Sequence, residues 1–244
     1  MIKIITDYKQ VYNLSQGNYF YTGAILASNH NIYYPVKEKG ILQYDGSNYS
    51  LIDRFPKGSV LDVYEDSINN CLVAASTAGL IVIEEFKSPV LHETEFIKSG
   101  KYIKTIAQDK HGRYWLGGEY ILSIFDGQDF IELPNKDYDY KHGAISIFMD
   151  SRKNLWLGTT SGLYFYNYRE FIKIAKNTLK SQVVSFVELD SSKLVMGISE
   201  GMAIFDLNSF YENGKENIEI LDDSKGFLGF DCIRNGILKD SDNN

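Results

Sequence analysis

Cysteine, proline, tryptophan and histidine are all scarce in this chain, with 2 Cys, 4 Pro, 2 Trp and 4 His in 244 residues. Cys71 and Cys232 lie far apart in separate repeats, and neither has the Cys-x-x-Cys or Cys/His spacing of a metal site or redox pair. Two buried free thiols are expected, not a disulfide. No apolar run approaches the ~18 residues of a membrane helix, and the opening MIKIITDYKQVYNL lacks the apolar segment of a signal peptide. As written, the chain has nothing that exports or anchors it, which fits a cytosolic protein or a piece of a larger one. Blocks of Lys and Arg with interleaved aromatics are missing too, and the formal charge is −7, so nucleic acid is not an expected partner. There is no GxSxG elbow, no phosphate loop and no HExxH.

What the chain does have is aromatic residues, 14% of the total, supplied mainly by 18 Tyr and 14 Phe. With 44% hydrophobic and 23% charged residues it is apolar enough to bury cores, and the aromatic bias favours pleated sheet. The segment SIFMDSRKNLWLGTTSGLYFYNYREF, Ser146 to Phe171, aligns with IKTIAQDKHGRYWLGGEYILSIFDGQDF, Ile103 to Phe130. Asp150 falls on Asp109, Trp156 on Trp115, Gly158 on Gly117, Tyr166 on Phe125 and Phe171 on Phe130. A third copy offers Asp190, Val195, Gly197, Gly201, Phe205 and Phe210, and a fourth offers Asp66, Leu72, Ala74 and Gly79. In a weaker first copy Tyr33 or Tyr34 stands for the Trp and Pro35 or Val36 for the Gly. Steps of 43, 41 and 40 residues between the Asp positions match a four-stranded blade.

Each position has a physical job. The Asp makes a tight hairpin turn by bonding backbone N–H groups. The Trp wedges between blades, and the small residue two places on admits a close backbone. A Gly turns the chain into the third strand, and the aromatic pair five residues apart closes the outer turn. The fold class expected is all-β, a β-propeller of four-stranded antiparallel blades. Its repeats fall at approximately 21–56, 57–98, 99–140, 141–180 and 181–222, with a truncated sixth at 223–244, in one domain. A linear β-solenoid or a sandwich is the alternative.

The string NLWLGTTSGLYFYN, with its copies RYWLGGEYILSIFDG and KLVMGISEGMAIFD, resembles the regulator-propeller repeat of hybrid two-component sensors of Bacteroidetes. That resemblance implies a periplasmic sensor region, and beyond it an adjoining propeller, a small sandwich domain, a membrane helix and a kinase, with the parent a homodimer. It also implies a response to oligosaccharides released from polysaccharides.

Chemistry is harder to find. His30 and His111 fall at hairpin turns, His92 in a connection and His142 in the loop PNKDYDYKHG, where none is an obvious base. The recurrence of Asp66, Asp109, Asp150 and Asp190 once per blade marks turn formers, not paired acids. Asp222, Asp223 and the run from Asp240 to Asn244 have the oxygen donors that calcium takes, but the run belongs to a hairpin and lacks the Gly and distal Glu of an EF-hand loop, so no metal and no cofactor is expected. Propeller lyases of the streptogramin type resemble these repeats as well, and a lyase or hydrolase, or a protein-binding scaffold, is the competing reading. Ligands of propellers usually meet the rim formed by the second-to-third-strand loops and the inter-blade connections. The alignment places Lys37, Glu38, Thr77, Glu119, Tyr120, Thr160, Ser161 and Glu200 there, with Tyr138, Tyr140 and His142 from the long inter-blade loop. Rings stacking on sugar faces and carboxylates bonding hydroxyls would suit an oligosaccharide. Equally, each residue taken singly suits a solvated loop.

Overall fold

Twenty short strands in five antiparallel meanders account for most of the regular structure among the described residues. The computed structural model describes residues 24–36, 38–53, 58–66, 68–84, 89–92, 102–118, 120–133, 143–226 and 232. The first sheet holds β1 to β4 (Ile25–Leu26, Ile32–Val36, Gly40–Tyr44, Tyr49–Ile52). The second holds β5 to β8 (Val60–Asp66, Cys71–Ser76, Leu80–Glu84, Pro89–His92). The third holds β9 to β12 (Thr105–Gln108, Tyr114–Gly118, Ile121–Phe125, Phe130–Glu132). The fourth holds β13 to β16 (Ser146–Met149, Leu155–Thr159, Gly162–Tyr166, Phe171–Ile174). The fifth holds β17 to β20 (Val183–Leu189, Lys193–Ile198, Gly201–Asp206, Ile218–Leu221). From the second sheet on, the first strands β5, β9, β13 and β17 neighbour one another, with β1 and β2 against β5, as in the blades of a β-propeller.

Both tryptophans are fully buried between sheets. Trp115 packs on Leu155, Leu157 and Tyr164 of the fourth sheet, and Trp156 on Leu194, Met196 and Phe205 of the fifth. Two residues on, the chain touches the lead-in to the next sheet. A Cβ at Gly117 would stand 2.3 Å from the Ala144 carbonyl oxygen, and one at Gly158 would stand 2.3 Å from that of Val183. Close approach, not an unusual φ, is therefore what requires glycine here. Inner strands are tied across seams as well, with Ile106 N–H donating to Asp62 at 3.1 Å between the third and second sheets and Ser146 Oγ–H to the Val183 carbonyl at 2.8 Å between the fourth and fifth.

The outer turns follow one local rule. Asp45, Asp126 and Asn167 each accept two backbone N–H bonds through one side-chain oxygen. The next residue is left-handed, being Gly46, Gly127 and, with φ 68°, Tyr168. Asp206 starts the same way, but Leu207 follows it, and the chain runs on into a helix α1 (Leu207–Asn213) with Asp206 as N-cap and Gly214, φ 66°, closing its end. Aromatic pairs close four of the five units, with ring centroids 4.6 Å apart for Tyr44 and Tyr49, 4.7 Å for Phe125 and Phe130, 4.4 Å for Tyr166 and Phe171, and 5.5 Å for Phe205 and Phe210; the second sheet has Glu84 and, five residues on, Pro89 instead.

Registers correct the repeat alignment in two sheets. Asp109 and Asp150 lie four residues beyond Thr105 and Ser146, which pair with Gly117 and Gly158. In the fifth sheet Ser185 pairs with Gly197, so the equivalent place belongs to Leu189, and Asp190 stands one further on. Asp190 and Ser191 take φ values of 52° and 55° in a tight turn, a conformation that Asp tolerates. In the second sheet the turn after Asp66 carries one extra residue, and Asp62 pairs with Ala75. Val73 and Ala75, not Leu72 and Ala74, thus face the third sheet. The first sheet resolves to Tyr33 in the Trp place, fully buried against Leu72 and Ala74.

Candidate functional site

The two sides of the blades carry different chemistry. On one side lie the turns between first and second strands, where the repeated Asp sits. Asp109 is 3% exposed, and its Oδ1 accepts N–H bonds from His111 and Arg113 at 2.8 and 3.1 Å. Its Oδ2 accepts from the Trp115 indole N–H and the Arg113 Nε–H, both at 2.9 Å, with Arg113 Nη2 at 2.7 Å. Asp150 repeats this arrangement with the Trp156 indole at 2.9 Å and adds the hydroxyl of Tyr211, which reaches over from α1. Asp66 has Val73 where the others have Trp. It is supplied instead by Tyr114 and Gln108 of the third sheet and by Asn69. Burial pushes the Asp66 and Asp109 carboxyls up, but these donors together outweigh it and hold both below the usual carboxylate range. Tyr114 and Tyr211 are pushed the other way, by burial first and then by the carboxylates that they bond.

These carboxylates are saturated with donors and closed to substrate, so their role is to fix turns and join sheets. The sequence placed them in turns correctly but missed the second oxygen. The signal was present as the constant six-residue step from Asp109 to Trp115 and from Asp150 to Trp156. His30, φ 63°, and His111 belong to this side as well; His111 packs edge-on against Tyr168 at 5.4 Å.

The opposite side gathers the turns between second and third strands and the connections between sheets. Thr77 accepts the Ser59 N–H at 2.8 Å through its hydroxyl and donates its own N–H back to the Ser59 carbonyl at 3.0 Å. Ser161 N–H donates to Thr159 at 3.1 Å, and Thr159 closes the turn through the Gly162 carbonyl at 2.9 Å. Thr77 and Ser161 are therefore half-buried turn builders, whereas Glu38, Thr160 and Glu200 are exposed.

Tyr120 differs from its neighbours. Elsewhere Gly40, Gly79, Gly162 and Gly201 supply the left-handed step into the third strand, with φ between 118° and 144°. The third sheet has Ile121 in that place, so Tyr120 takes the positive φ itself, 62°. Gly118 and Gly143 pin it there, because a Cβ at Gly143 would stand 2.5 Å from the Tyr120 nitrogen and 1.9 Å from the Gly118 oxygen. Tyr120 is 50% exposed there. Lys37, Glu119, Tyr138, Tyr140 and His142 lie outside the described residues. Among the described residues no three His, Cys, Asp or Glu side chains converge as a metal site would require, and no helix is long and apolar enough to cross a membrane.

No protein-family model matches the chain, and no curated protein matches it. Solved structures do match. The extracellular domain of BT3049, assigned to a hybrid two-component system of B. thetaiotaomicron, aligns with a TM-score of 0.73 at 17% identity, over 90% of this chain and 31% of that one. PorZ, a surface component of the type-IX secretion system of Porphyromonas gingivalis, aligns with a TM-score of 0.63 at 13% identity, over 84% of this chain and 36% of that one. Virginiamycin B lyase from Staphylococcus aureus, as its inactive H270A form with quinupristin, aligns with a TM-score of 0.61 at 14% identity, over 82% and 69%. The chain spans about a third of the length of the first two. It has a β-propeller fold in common with the extracellular domain of BT3049.

Proposed function

We propose that this chain is a non-catalytic, ligand-binding part of the sensor region of a hybrid two-component regulator, working outside the inner membrane. On this reading a polysaccharide-derived oligosaccharide binds the side that carries Tyr120. The observation that carries it is that ring: large, half exposed and held on a strained, pinned turn beside the inter-sheet connections. Backbone strain of order 1–3 kcal/mol persists where surrounding structure over-determines it, and such sites cluster where ligands bind. A rigid ring gives a sugar face to stack on, and Glu38, Thr160 and Glu200 on neighbouring turns offer hydroxyl partners. Glu119, Lys37, Tyr138, Tyr140 and His142 complete the proposed rim by the repeat alignment. In the parent, binding would bias how this propeller sits against an adjoining one, and so the equilibrium of a homodimer.

A thermal-shift and calorimetric screen of the purified protein against plant and host oligosaccharides tests this reading. A specific upward shift that disappears in Tyr120→Ala and weakens in Glu200→Gln supports it. Binding that survives Tyr120→Ala unchanged removes the proposed site, and turnover of any glycan by the protein removes the non-catalytic assignment. The lyase or hydrolase reading shares the fold of virginiamycin B lyase; His30 and His111 sit on the other side of the blades from the proposed rim, so on that reading the base at the rim would be His142.

A further inference from the structure

Most aromatic rings of this fold are already in use. On the side of the Asp turns, Tyr168 has Lys110 Nζ 3.8 Å over its ring, and its hydroxyl accepts the Lys110 N–H at 3.3 Å. Tyr211 likewise has the Arg152 guanidinium 4.3 Å over its ring and bonds Asp150. Of the described Tyr, Phe and Trp residues only Tyr102 and Tyr120 are exposed, at 42% and 50%. Among the described residues, neither has a ring contact, a cation or a side-chain hydrogen bond to occupy it.

The two positions are neighbours in space. Tyr102 lies in the lead-in to β9 and Tyr120 in the turn between β10 and β11, so both are on the side of the proposed rim. Gly118 joins them: a Cβ there would stand 2.2 Å from the Tyr102 carbonyl oxygen, and Tyr120 follows two residues later. Consecutive residues are only ~3.8 Å apart, so the two tyrosines belong to one patch. Tyr102 is also held in place, because Ile103 after it is fully buried and the Lys104 N–H bonds the Gly117 carbonyl at 2.7 Å. Sixteen residues separate Tyr102 from Gly118 in the chain, and the fold alone brings them together.

Two unoccupied rings on one anchored patch suit a ligand with two successive apolar faces, since tyrosine gives a large contact area at low cost in conformational entropy. A pyranose whose hydroxyls are all equatorial has such faces, made of axial C–H groups, and an axial hydroxyl interrupts one of them. We infer that Tyr102 is a second stacking ring of the Tyr120 site, which takes two adjacent units of an oligosaccharide of β-linked, all-equatorial pyranoses. The inference rests on the glycan reading above and narrows it.

Calorimetry on the purified protein tests it with cellobiose, xylobiose and chitobiose, each against its own monosaccharide, and with mannobiose, whose units carry an axial hydroxyl, as the contrast. At least one of the three should bind roughly tenfold or more tighter than its monosaccharide and than mannobiose. Tyr102→Ala should remove that gain while leaving the weak monosaccharide binding and Tm as they are. Tyr102→Phe should keep it, because the ring and not the hydroxyl makes the contact. Disaccharide binding that is lost in Tyr120→Ala but unchanged in Tyr102→Ala overturns the second ring and leaves the glycan reading standing. So does a failure of all three to bind at millimolar concentration while another glycan binds through Tyr120. If no glycan binds, or Tyr120→Ala changes nothing, the glycan reading falls and this inference falls with it.

Discussion

Asp109→Asn and Asp190→Asn make the same chemical change at two positions that look equivalent in the repeat, and the structure expects opposite results. At Asp109 all five contacts on the carboxylate come from donors: two backbone N–H groups on Oδ1, and on Oδ2 an indole N–H and two nitrogens of the single Arg113 guanidinium. An asparagine must turn its NH2 toward one set or the other, so it loses at least two bonds and leaves a buried donor facing a donor. Bonds to a charged group contribute ~1.5–3 kcal/mol each, and an orphaned buried donor costs ~1–3 kcal/mol; the lower burial cost of a neutral amide offsets part of this. The net expectation is a destabilisation of about 3 kcal/mol. Asp190 is exposed in a left-handed turn, and asparagine adopts that conformation at least as readily, so the change should stay within ~0.5 kcal/mol. Urea denaturation at pH 7 measures both.

The acid limb adds a signature. Because the folded Asp109 carboxyl lies below its unfolded value near ~3.9, its ionised form stabilises the fold above that pH, and the contribution disappears as pH falls through the folded pKa. The gap between wild type and Asp109→Asn should therefore narrow on acidification below pH ~4. Equal losses at Asp109 and Asp190, or a gap that does not change with pH, would refute the donor count and the register shift behind it.

Other seams make simpler tests. Gly158→Ala should cost more than ~3 kcal/mol in denaturation, since its Cβ would lie 2.2 Å from Ser146 Oγ and 2.3 Å from the Val183 oxygen. By contrast Gly214→Ala, with open space around it but φ 66°, should cost only about 1 kcal/mol. Tyr211→Phe removes one of the two side-chain donors seen on Asp150 Oδ2, and should lower stability by about 1–2 kcal/mol while Trp156 still holds the turn. Tyr120→Gly should raise Tm slightly by relieving the left-handed tyrosine and yet remove any glycan binding, which separates the role of the ring from that of the turn.

Most of what the sequence determined by itself was local. Asp45, Asp126, Asn167 and Asp206 bond N–H groups no more than three residues away, and the aromatic pairs are five residues apart, so short-range chemistry suffices to draw the turns and the four-strand unit. Trp115 and Trp156 were legible as wedges for the same reason, because a large ring followed by glycine in each repeat has few other uses in a sheet. One local cue was even sufficient to catch an error. From Asp109 or Asp150 to the following glycine is eight residues, but from Asp190 to Gly197 it is seven.

The tertiary structure decided whatever depends on the neighbouring blade. Which face of β6 meets the third sheet turned on one extra residue in a turn, and a one-residue slip in a strand exchanges its two faces. Partners of the buried carboxylates come from 48 residues away for Asp66 and Tyr114 and from 61 for Asp150 and Tyr211, beyond any repeat spacing. The repeat alignment puts Tyr120 on the rim, but only the tertiary structure shows Ile121 displacing the left-handed step onto it, with Gly143 closing in from the connection that follows.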